Sequence, residues 1–424
     1  MINILDKLFS NSKNFNLLSI KFQKIKIDTE ITKIFSAIEK FSDKAELRYV
    51  GGCVRKTINN ETIDDIDLAV NLKPTEVIEA LKKNSIKYFD TGIKHGTITA
   101  IINKNKFEIT SLRKDTKTDG RHAEVEFFND WKEDASRRDF SINSIYADIN
   151  GNLFDPFDGK KDLENGDIKF IGNAERRIKE DYLRILRYIR FFLNYSKKDH
   201  DLNITKTIKK NLDGVSKIST DRLLDEFRKL LKSKGFLRLS KDKFCFEIIN
   251  LIFPQFVNLS IFKNLNNFAL KNIDNLDFIF LISLMIIDGK DNADYFIYKF
   301  NISKNDQKRI LFLNNIYSQG INNKTFLKKN LEKILYFNGK QSLLDLIYFQ
   351  IFKLKKIDNK LIAMLNFFKE QESKKMPVKA KNIIAKYNIP EGKRLGEILN
   401  KIEEKWISND FKISDQEIEK LVKN

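Results

Sequence analysis

Asp64-Asp65-Ile66-Asp67-Leu68-Ala69-Val70 follows closely on Gly51-Gly52-Cys53-Val54-Arg55, and the reading of these two runs decides the fold. In a strand, successive side chains alternate between faces. Ile66, Leu68 and Val70 then point into a core, while Asp65 and Asp67 project together from the other face. Two carboxylates sharing one face repel each other unless a cation lies between them. Hard oxygen ligands favour Mg²⁺, which is commonly held by one or two carboxylates plus substrate phosphates. A bare Asp-x-Asp also fits a strand end with solvated aspartates, so the residues around it choose between the readings.

Those residues point to a nucleotide. The glycine pair follows the strand pattern of Leu47-Arg48-Tyr49-Val50 and opens a helix. Glycines there let backbone N–H groups approach a phosphate, and a helix N-terminus adds positive potential. Arg55 supplies a charged donor. Lys106 to Leu112 also alternates: Phe107 and Ile109 face the core, Glu108 and Thr110 the other side. Glu108 is positioned to complete a metal cluster or to act as a base on an incoming hydroxyl. Arg137-Arg138-Asp139-Phe140-Ser141-Ile142-Asn143 adds arginines suited to triphosphate oxygens. Its Asp139 and Asn143 are candidates for ribose hydroxyls.

The chain has 424 residues, with 42% hydrophobic and 32% charged, which is globular and large enough for several domains. Its 77 Lys+Arg against 58 Asp+Glu leave a net charge of +19, which favours an anionic partner, nucleic acid before a membrane surface. Two cysteines, Cys53 and Cys245, cannot build a disulfide framework or a cysteine zinc cluster, so a reducing compartment, the cytoplasm, is expected. Phe278 to Ile287 is too short to span a bilayer and reads as a buried helix. Residues 1–28 read as an extension without a signal-peptide core.

Strands Ile66–Ala69, Thr97–Ile102, Lys106–Leu112 and Ser144–Asp148 are expected, with helices from Glu30 to Phe41 and from Pro74. This is a module around a mixed sheet. After Asp155-Pro156-Phe157-Asp158-Gly159 the texture turns helical to the C-terminus, where Pro254, Pro377 and Pro390 are the only prolines beyond residue 160. Thr118 to Phe127 reads as a mobile loop running into a strand. His95 reads as part of a turn and His122 as a loop residue. Glu180 to Arg190 reads as one helix with a core stripe through Ile178, Tyr182, Ile185 or Leu186, Ile189 and Leu193. At ~100° per residue, Asp181, Arg184 and Arg187 share a sector, and Arg190 lies opposite Asp181 unless the helix bends. The Asp–Arg spacing fits an ordinary helix salt bridge and equally a donor and acceptor edge for a base.

Gly-Gly-x-Val-Arg, Asp-x-Asp-Leu, Arg-Arg-Asp-Phe-Ser-Ile-Asn, Asp-Pro-Phe-Asp-Gly and Glu-Asp-x-x-Arg-x-x-Arg occur in this order, followed by Ser219 to Phe227. Over residues 47–231 the chain resembles class II tRNA nucleotidyltransferases (CCA-adding enzymes) and the related bacterial poly(A) polymerases. The resemblance implies an α+β fold: a nucleotidyltransferase palm with a mixed β-sheet, then all-α neck, body and tail. The corresponding boundaries are 1–28 for the extension, 29–160 palm, 161–235 neck, 236–375 body and 376–424 tail. It implies that Asp65 and Asp67 bind Mg²⁺ and that Glu108 is the third carboxylate. Gly52, Arg55 and Arg138 match triphosphate contacts, with Asp139 and Asn143 near the ribose. Asp181 and Arg184 match the pair that templates the base, with Arg187 and Arg190 lining the same site. Thr118–Phe127 is similar to the loop needed for the switch from C to A addition. One departure is Lys56, where the family usually has Asp.

The expected activity is template-independent addition of C, C and A to the tRNA 3′ end from CTP and ATP. The acceptor arm and elbow of tRNA are the expected partner, with no membrane and no appended His-Asp phosphohydrolase domain. Gly92-Ile93-Lys94-His95-Gly96-Thr97 and the stretch Asn388 to Leu399 resemble CCA-adding forms. Poly(A) polymerase is the nearest alternative, followed by a CC-only or A-only enzyme. A basic RNA-binding protein on an inactive transferase scaffold is the alternative from another class, and the intact aspartates weigh against it.

Overall fold

Alternating apolar residues in the first third of the chain build a sheet. The structure, a computed structural model, describes residues 18–26, 29–118 and 123–423. Strands β1 (Leu47–Val50), β2 (Ile66–Val70), β3 (Lys87–Phe89), β4 (Thr97–Ile102), β5 (Asn105–Ser111), β6 (Arg113–Thr118), β7 (Ala123–Phe127), β8 (Tyr146–Ala147) and β9 (Leu153–Phe154) follow in order. Seven of them form a mixed sheet, β3-β4-β5-β2-β1-β8-β9. β2 and β5 run parallel, and the other neighbours are antiparallel.

Leu47, Tyr49, Leu68, Val70, Phe107 and Ile109 send their side chains to one face of this sheet and are buried there. Helices α1 (18–26) and α2 (Thr32–Glu39) cover that face with Phe22, Ile34, Phe35 and Ile38. Helix α3 (Gly52–Ile58) contributes Cys53 and Val54, and α4 (Pro74–Lys83) contributes Val77, Ala80 and Leu81. Each fully buried Val, Leu, Ile or Phe among these contributes roughly 1.5–3 kcal/mol of burial free energy. Helix α4 starts at Pro74, as its sequence predicts, and Glu76 accepts from the Lys73 amide at 2.7 Å. The opposite face holds a smaller cluster of Val50, Ala69, Leu112, Ala135 and Tyr146, completed by helix α5 (Trp131–Ser136). Asp67 is two residues from Ala69 and shares this second face.

Two expectations are corrected, and a third is met in part. The strand expected over Ser144–Asp148 keeps only Tyr146–Ala147. Ser144 is held in a turn by its hydroxyl on the Ser141 carbonyl (2.8 Å), and Asp148 turns the chain by accepting from the amides of Asn150 and Asn152. Of the loop and strand expected over Thr118–Phe127, the strand is present as β7 (Ala123–Phe127). β6 and β7 pair antiparallel with a register shift between Asp115 and Lys117. Asp119 to His122, including the expected loop histidine, lie outside the described residues. The helix expected over Glu180–Arg190 is broken, as described below.

From Gly159 the first unit, Met1–Ile252, is helical: α6 (Gly159–Asn165), α7 (Ala174–Glu180), α8 (Leu183–Tyr195), α9 (Leu202–Lys210), α10 (Thr220–Leu231) and α11 (Lys243–Ile252). The second unit, Phe253–Asn424, has helices and no strand among its described residues. Its α13 (Phe278–Ile286), which follows α12 (Asn267–Asn272), is buried over nearly its whole length, as its apolar run requires. Residues 371–379 are neither helix nor strand. Beyond them Ile383, Leu395, Ile398, Ile402, Ile418 and Val422 form a separate apolar cluster. Among the described residues no helix is long and apolar enough to cross a membrane.

Candidate active site

The parallel β2–β5 ladder sets Asp67 beside Glu108 as register partners. Asp65 lies one residue before β2, so the ladder fixes Asp67 more firmly than Asp65. Glu108 is exposed and Asp67 half-buried. Burial raises the Asp67 carboxyl above its ordinary value and the Glu108 charge adds to this, with a smaller push from Asp65; Arg138 and Arg55 oppose it. Like charges crowded on one rigid edge are the donor set that a divalent cation relieves. Asp64 is turned to other use: its Oδ2 lies 2.6 Å from Lys56 Nζ.

Next to the carboxylates lies a cavity of about 830 Å³, lined by both glycines, Asp65, Asp67 and the arginines named below. Gly51 takes φ +68°, and a Cβ there would sit 3.4 Å from Arg138 Nη1, so the turn needs glycine. Nothing lies within 4 Å of a Cβ built on Gly52, which leaves that side of the cavity open. Arg55 is buried. It donates to Asn143 Oδ1 and, through Nε, to the Tyr195 hydroxyl at 3.2 Å. Its guanidinium also lies 4.8 Å from the Phe191 ring centroid. Arg138 donates to the Tyr146 hydroxyl (3.1 Å) and to Asp134 (3.3 Å). The buried Asp139 accepts from Arg187 Nε at 2.6 Å and Asn143 Nδ2 at 2.9 Å. Burial alone would raise its carboxyl; the Arg187 charge outweighs this and holds it at about 2.

The far end of the cavity sits at a joint. Helix α7 stops at Glu180, and Asp181 takes φ −155°, ψ 104°. Helix α8 restarts at Leu183, whose amide donates to Asp181 Oδ1 at 3.1 Å. Asp181 is therefore not on the helix that carries Arg184, Arg187 and Arg190, and the sector drawn from a continuous helix does not apply. Arg190 and Asp181 both line the cavity. Arg184 donates to Glu180 Oε2 at 2.8 Å. Asp181 Oδ2 accepts from Arg222 at 2.7 Å. Arg190 Nε lies 2.5 Å from Glu226 Oε1, and Glu226 is 2% exposed.

A model of the Poly A polymerase head domain matches residues 47–169. The CCA tRNA nucleotidyltransferase 1, mitochondrial, of Mus musculus is 37% identical over 309 residues, which cover 70% of this chain and 69% of that protein. The CCA-adding enzyme of Ligilactobacillus salivarius (strain UCC118) is 30% identical over 415 residues, covering 94% and 96%. The chain belongs to the CCA-adding tRNA nucleotidyltransferase family. The human mitochondrial enzyme is 44% identical over 220 residues, a match that spans 51% of each protein. The fold is shared with a solved Bacillus stearothermophilus CCA-adding enzyme in complex with CTP, at TM-score 0.72 and 20% identity over 92% of this chain and 95% of that one.

Within this family member, most residues expected in the site line the one cavity: Gly52, Arg55, Arg138, Asp139, Asn143, Asp181, Arg184, Arg187 and Arg190 join Asp65 and Asp67. Glu108 reaches the group through its register with Asp67. His95 lies in a one-turn helix over Ile93–His95. Sequence reasoning left out Glu180, Tyr195, Arg222 and Glu226. Glu180 opened a motif that was read for its Asp and Arg. Arg222 and Glu226 stand i, i+4 on α10, inside the Ser219–Phe227 motif, and that spacing was the signal for a shared face. Tyr195 carried no signal of its own at the end of an apolar stripe.

Proposed function

We propose that this chain adds C, C and A in turn to the 3′ end of tRNA from CTP and ATP, releasing pyrophosphate and using no nucleic-acid template. The observation that carries the reading is the sharing of one cavity by a carboxylate cluster at a strand edge and an Asp–Arg set at a helix joint. The tRNA 3′-hydroxyl oxygen attacks the α-phosphorus, the bond to the β-phosphate oxygen breaks, and pyrophosphate leaves. The hydroxyl proton passes to the carboxylate cluster of Asp65, Asp67 and Glu108. Mg²⁺, held by Asp65 and Asp67, would lower the pKa of the attacking hydroxyl and offset charge on the leaving pyrophosphate.

Arg55 and Arg138 bind the triphosphate oxygens, and the open side at Gly52 admits them. Asp139 and Asn143 hold the ribose end while Asp139 keeps Arg187 oriented. Asp181 accepts from, and Arg184 donates to, the edge of the incoming base, so Arg222 and Glu180 are the partners the base competes with. A buried polar edge left unpaired makes the wrong base costly. Residues 29–160 then act as the palm and 161–235 as the neck, with 236–375 and 376–424 as body and tail holding the acceptor arm and elbow. The net charge of +19 favours that partner. Two cysteines without a disulfide fit a reducing compartment such as the cytoplasm.

The names of solved relatives, bound to CTP, to ATP and to tRNA, lend support. The test gives the purified protein tRNAs ending before, within and after CC, with CTP and ATP, and sequences the 3′ ends. Products that stop at CCA are expected. Long A tails on arbitrary RNA would replace this reading with a poly(A) polymerase.

A further inference from the structure

Away from the nucleotide cavity, the first unit gathers three donors of another kind. His200 lies just before α9, and Asp242 and Cys245 lie at the start of α11. The Asp-x-x-Cys spacing puts the last two on one side of the helix's first turn. His200 Nε2 lies 3.1 Å from both Asp242 oxygens and 3.7 Å from Cys245 Sγ. The three donor atoms all fall within 4.8 Å of one another.

The group is held rather than loose. The Tyr188 hydroxyl lies 3.0 Å from His200 Nδ1. The imidazole stacks on Phe192 with centroids 3.5 Å apart and meets Phe244 edge-on at 4.8 Å. Asp242 Oδ1 also accepts from the Cys245 amide at 2.8 Å. Cys245 is fully buried.

A four-coordinate zinc ion has Zn–N near ~2.0 Å and Zn–S near ~2.3 Å, which puts adjacent ligand atoms roughly 3–4 Å apart. The His200–Asp242 and His200–Cys245 separations meet that without backbone movement. One imidazole and one thiolate select zinc over the hard cations that suit the carboxylates at the strand edge. A tyrosine oxygen accepting from Nδ1–H fixes the tautomer that leaves the Nε2 lone pair for the metal, the usual outer-shell device. We propose that His200, Asp242 and Cys245 form a zinc site, with water as the fourth ligand. Binding displaces the Cys245 thiol proton to solvent and changes no oxidation state. The site ties the segment that leaves α8 to the start of α11.

The competing account is a plain His–Asp hydrogen bond beside a buried thiol. The full-length protein, stripped with a chelator, is titrated with Co²⁺ and separately with Zn²⁺. A thiolate-to-cobalt charge-transfer band saturating at one equivalent is expected, lost in Cys245→Ser and weakened in Asp242→Asn. Zn²⁺ in hundredfold excess over its Kd raises Tm by about 5 °C. Cations taken up by Asp65 and Asp67 give no thiolate band, and Cys53 is 2% exposed with no His near it among the described contacts. No band in the parent protein, or a band kept in Cys245→Ser, overturns the site. Circular dichroism confirms that each variant is folded before its result counts.

Discussion

The two ends of the nucleotide cavity carry charge in opposite ways. At the strand edge Asp67 is crowded by Glu108 and Asp65, and its carboxyl is raised by burial and like charge. At the helix joint each arginine meets an acid: Arg187 with Asp139, Arg190 with Glu226, Arg184 with Glu180 and Arg222 with Asp181. The first end is electrostatically unfinished and the second is complete. An unfinished cluster suits an ion that comes and goes with substrate. A complete network suits selection, because donors and acceptors are already aimed when the base enters.

The largest test breaks the first end. Asp65→Ala or Asp67→Ala should lower incorporation by about 10³-fold or more, the several kcal/mol that a bound cation supplies. tRNA binding should stay nearly unchanged. Turnover retained in a primer-extension assay would remove these residues from the metal site. Asp67→Asn sharpens the point through stability. A carboxyl raised in the folded state favours folding below its ordinary value of 3.8, and that contribution is lost as pH rises through the raised value. The Asn variant, though inactive, should therefore resist urea better than the parent at neutral pH without divalent cation. The gap should close as pH falls toward the ordinary carboxyl value.

The second end should respond with the opposite sign. Glu226→Gln leaves Arg190 buried without its acid and should cost about 3–5 kcal/mol in urea unfolding. A neutral result would mean that the network does not depend on this carboxylate. Asp139, at the same end of the cavity, is opposite in sign to Asp67. Held at about 2, it stabilises the fold above its ordinary value of 3.8, and that contribution is lost as pH falls through about 2.

Smaller effects divide the joint further. Arg222→Ala frees Asp181 and should reduce discrimination between correct and wrong nucleotides by about 10-fold, the worth of one charge-assisted hydrogen bond. Competition kinetics with CTP against UTP would read it. An unchanged ratio would show that Asp181 needs no such support. Tyr195→Phe removes the hydroxyl that accepts from Arg55 and donates to Glu61 at 3.1 Å. It should cost about 1 kcal/mol, seen as a rise in nucleotide KM of roughly 5-fold. A change in kcat alone would argue against a role in holding Arg55.

The strand edge was legible because its signals are local. Gly51 must turn, β2 and β5 alternate, and period two puts Asp67 and Glu108 on one face without knowledge of the rest. The helix joint was half legible. The core stripe from Ile185 to Leu193 was correct, and it was extended through Asp181 because no proline or glycine marks a break there. The mark was Asp181 itself, an acidic residue whose side chain holds an amide at the start of the next helix. The acids paired with Arg187 and Arg190, and the arginine paired with Asp181, come from α5-adjacent and α10 residues distant in sequence. Single-sequence spacing does not reach across that distance. The strand expected at the end of Thr118–Phe127 was legible and is β7, while the loop expected before it falls on residues outside those described.

The segment from Asn59 to Asp65 is fastened at two points. Lys56 holds Asp64 near one end, and Tyr195 holds Glu61 near the other, while the Glu61 amide reaches the Lys56 carbonyl at 2.9 Å. The approach to the aspartates is thus ordered during folding, and no turnover has to reorder it. The two fastenings answer differently to their surroundings. Lys56–Asp64 is a partly exposed ion pair that loosens as salt rises. The tyrosine link has an uncharged donor and is far less sensitive. Rising ionic strength therefore frees one end of this segment before the other and turns a rigid approach into a tethered one.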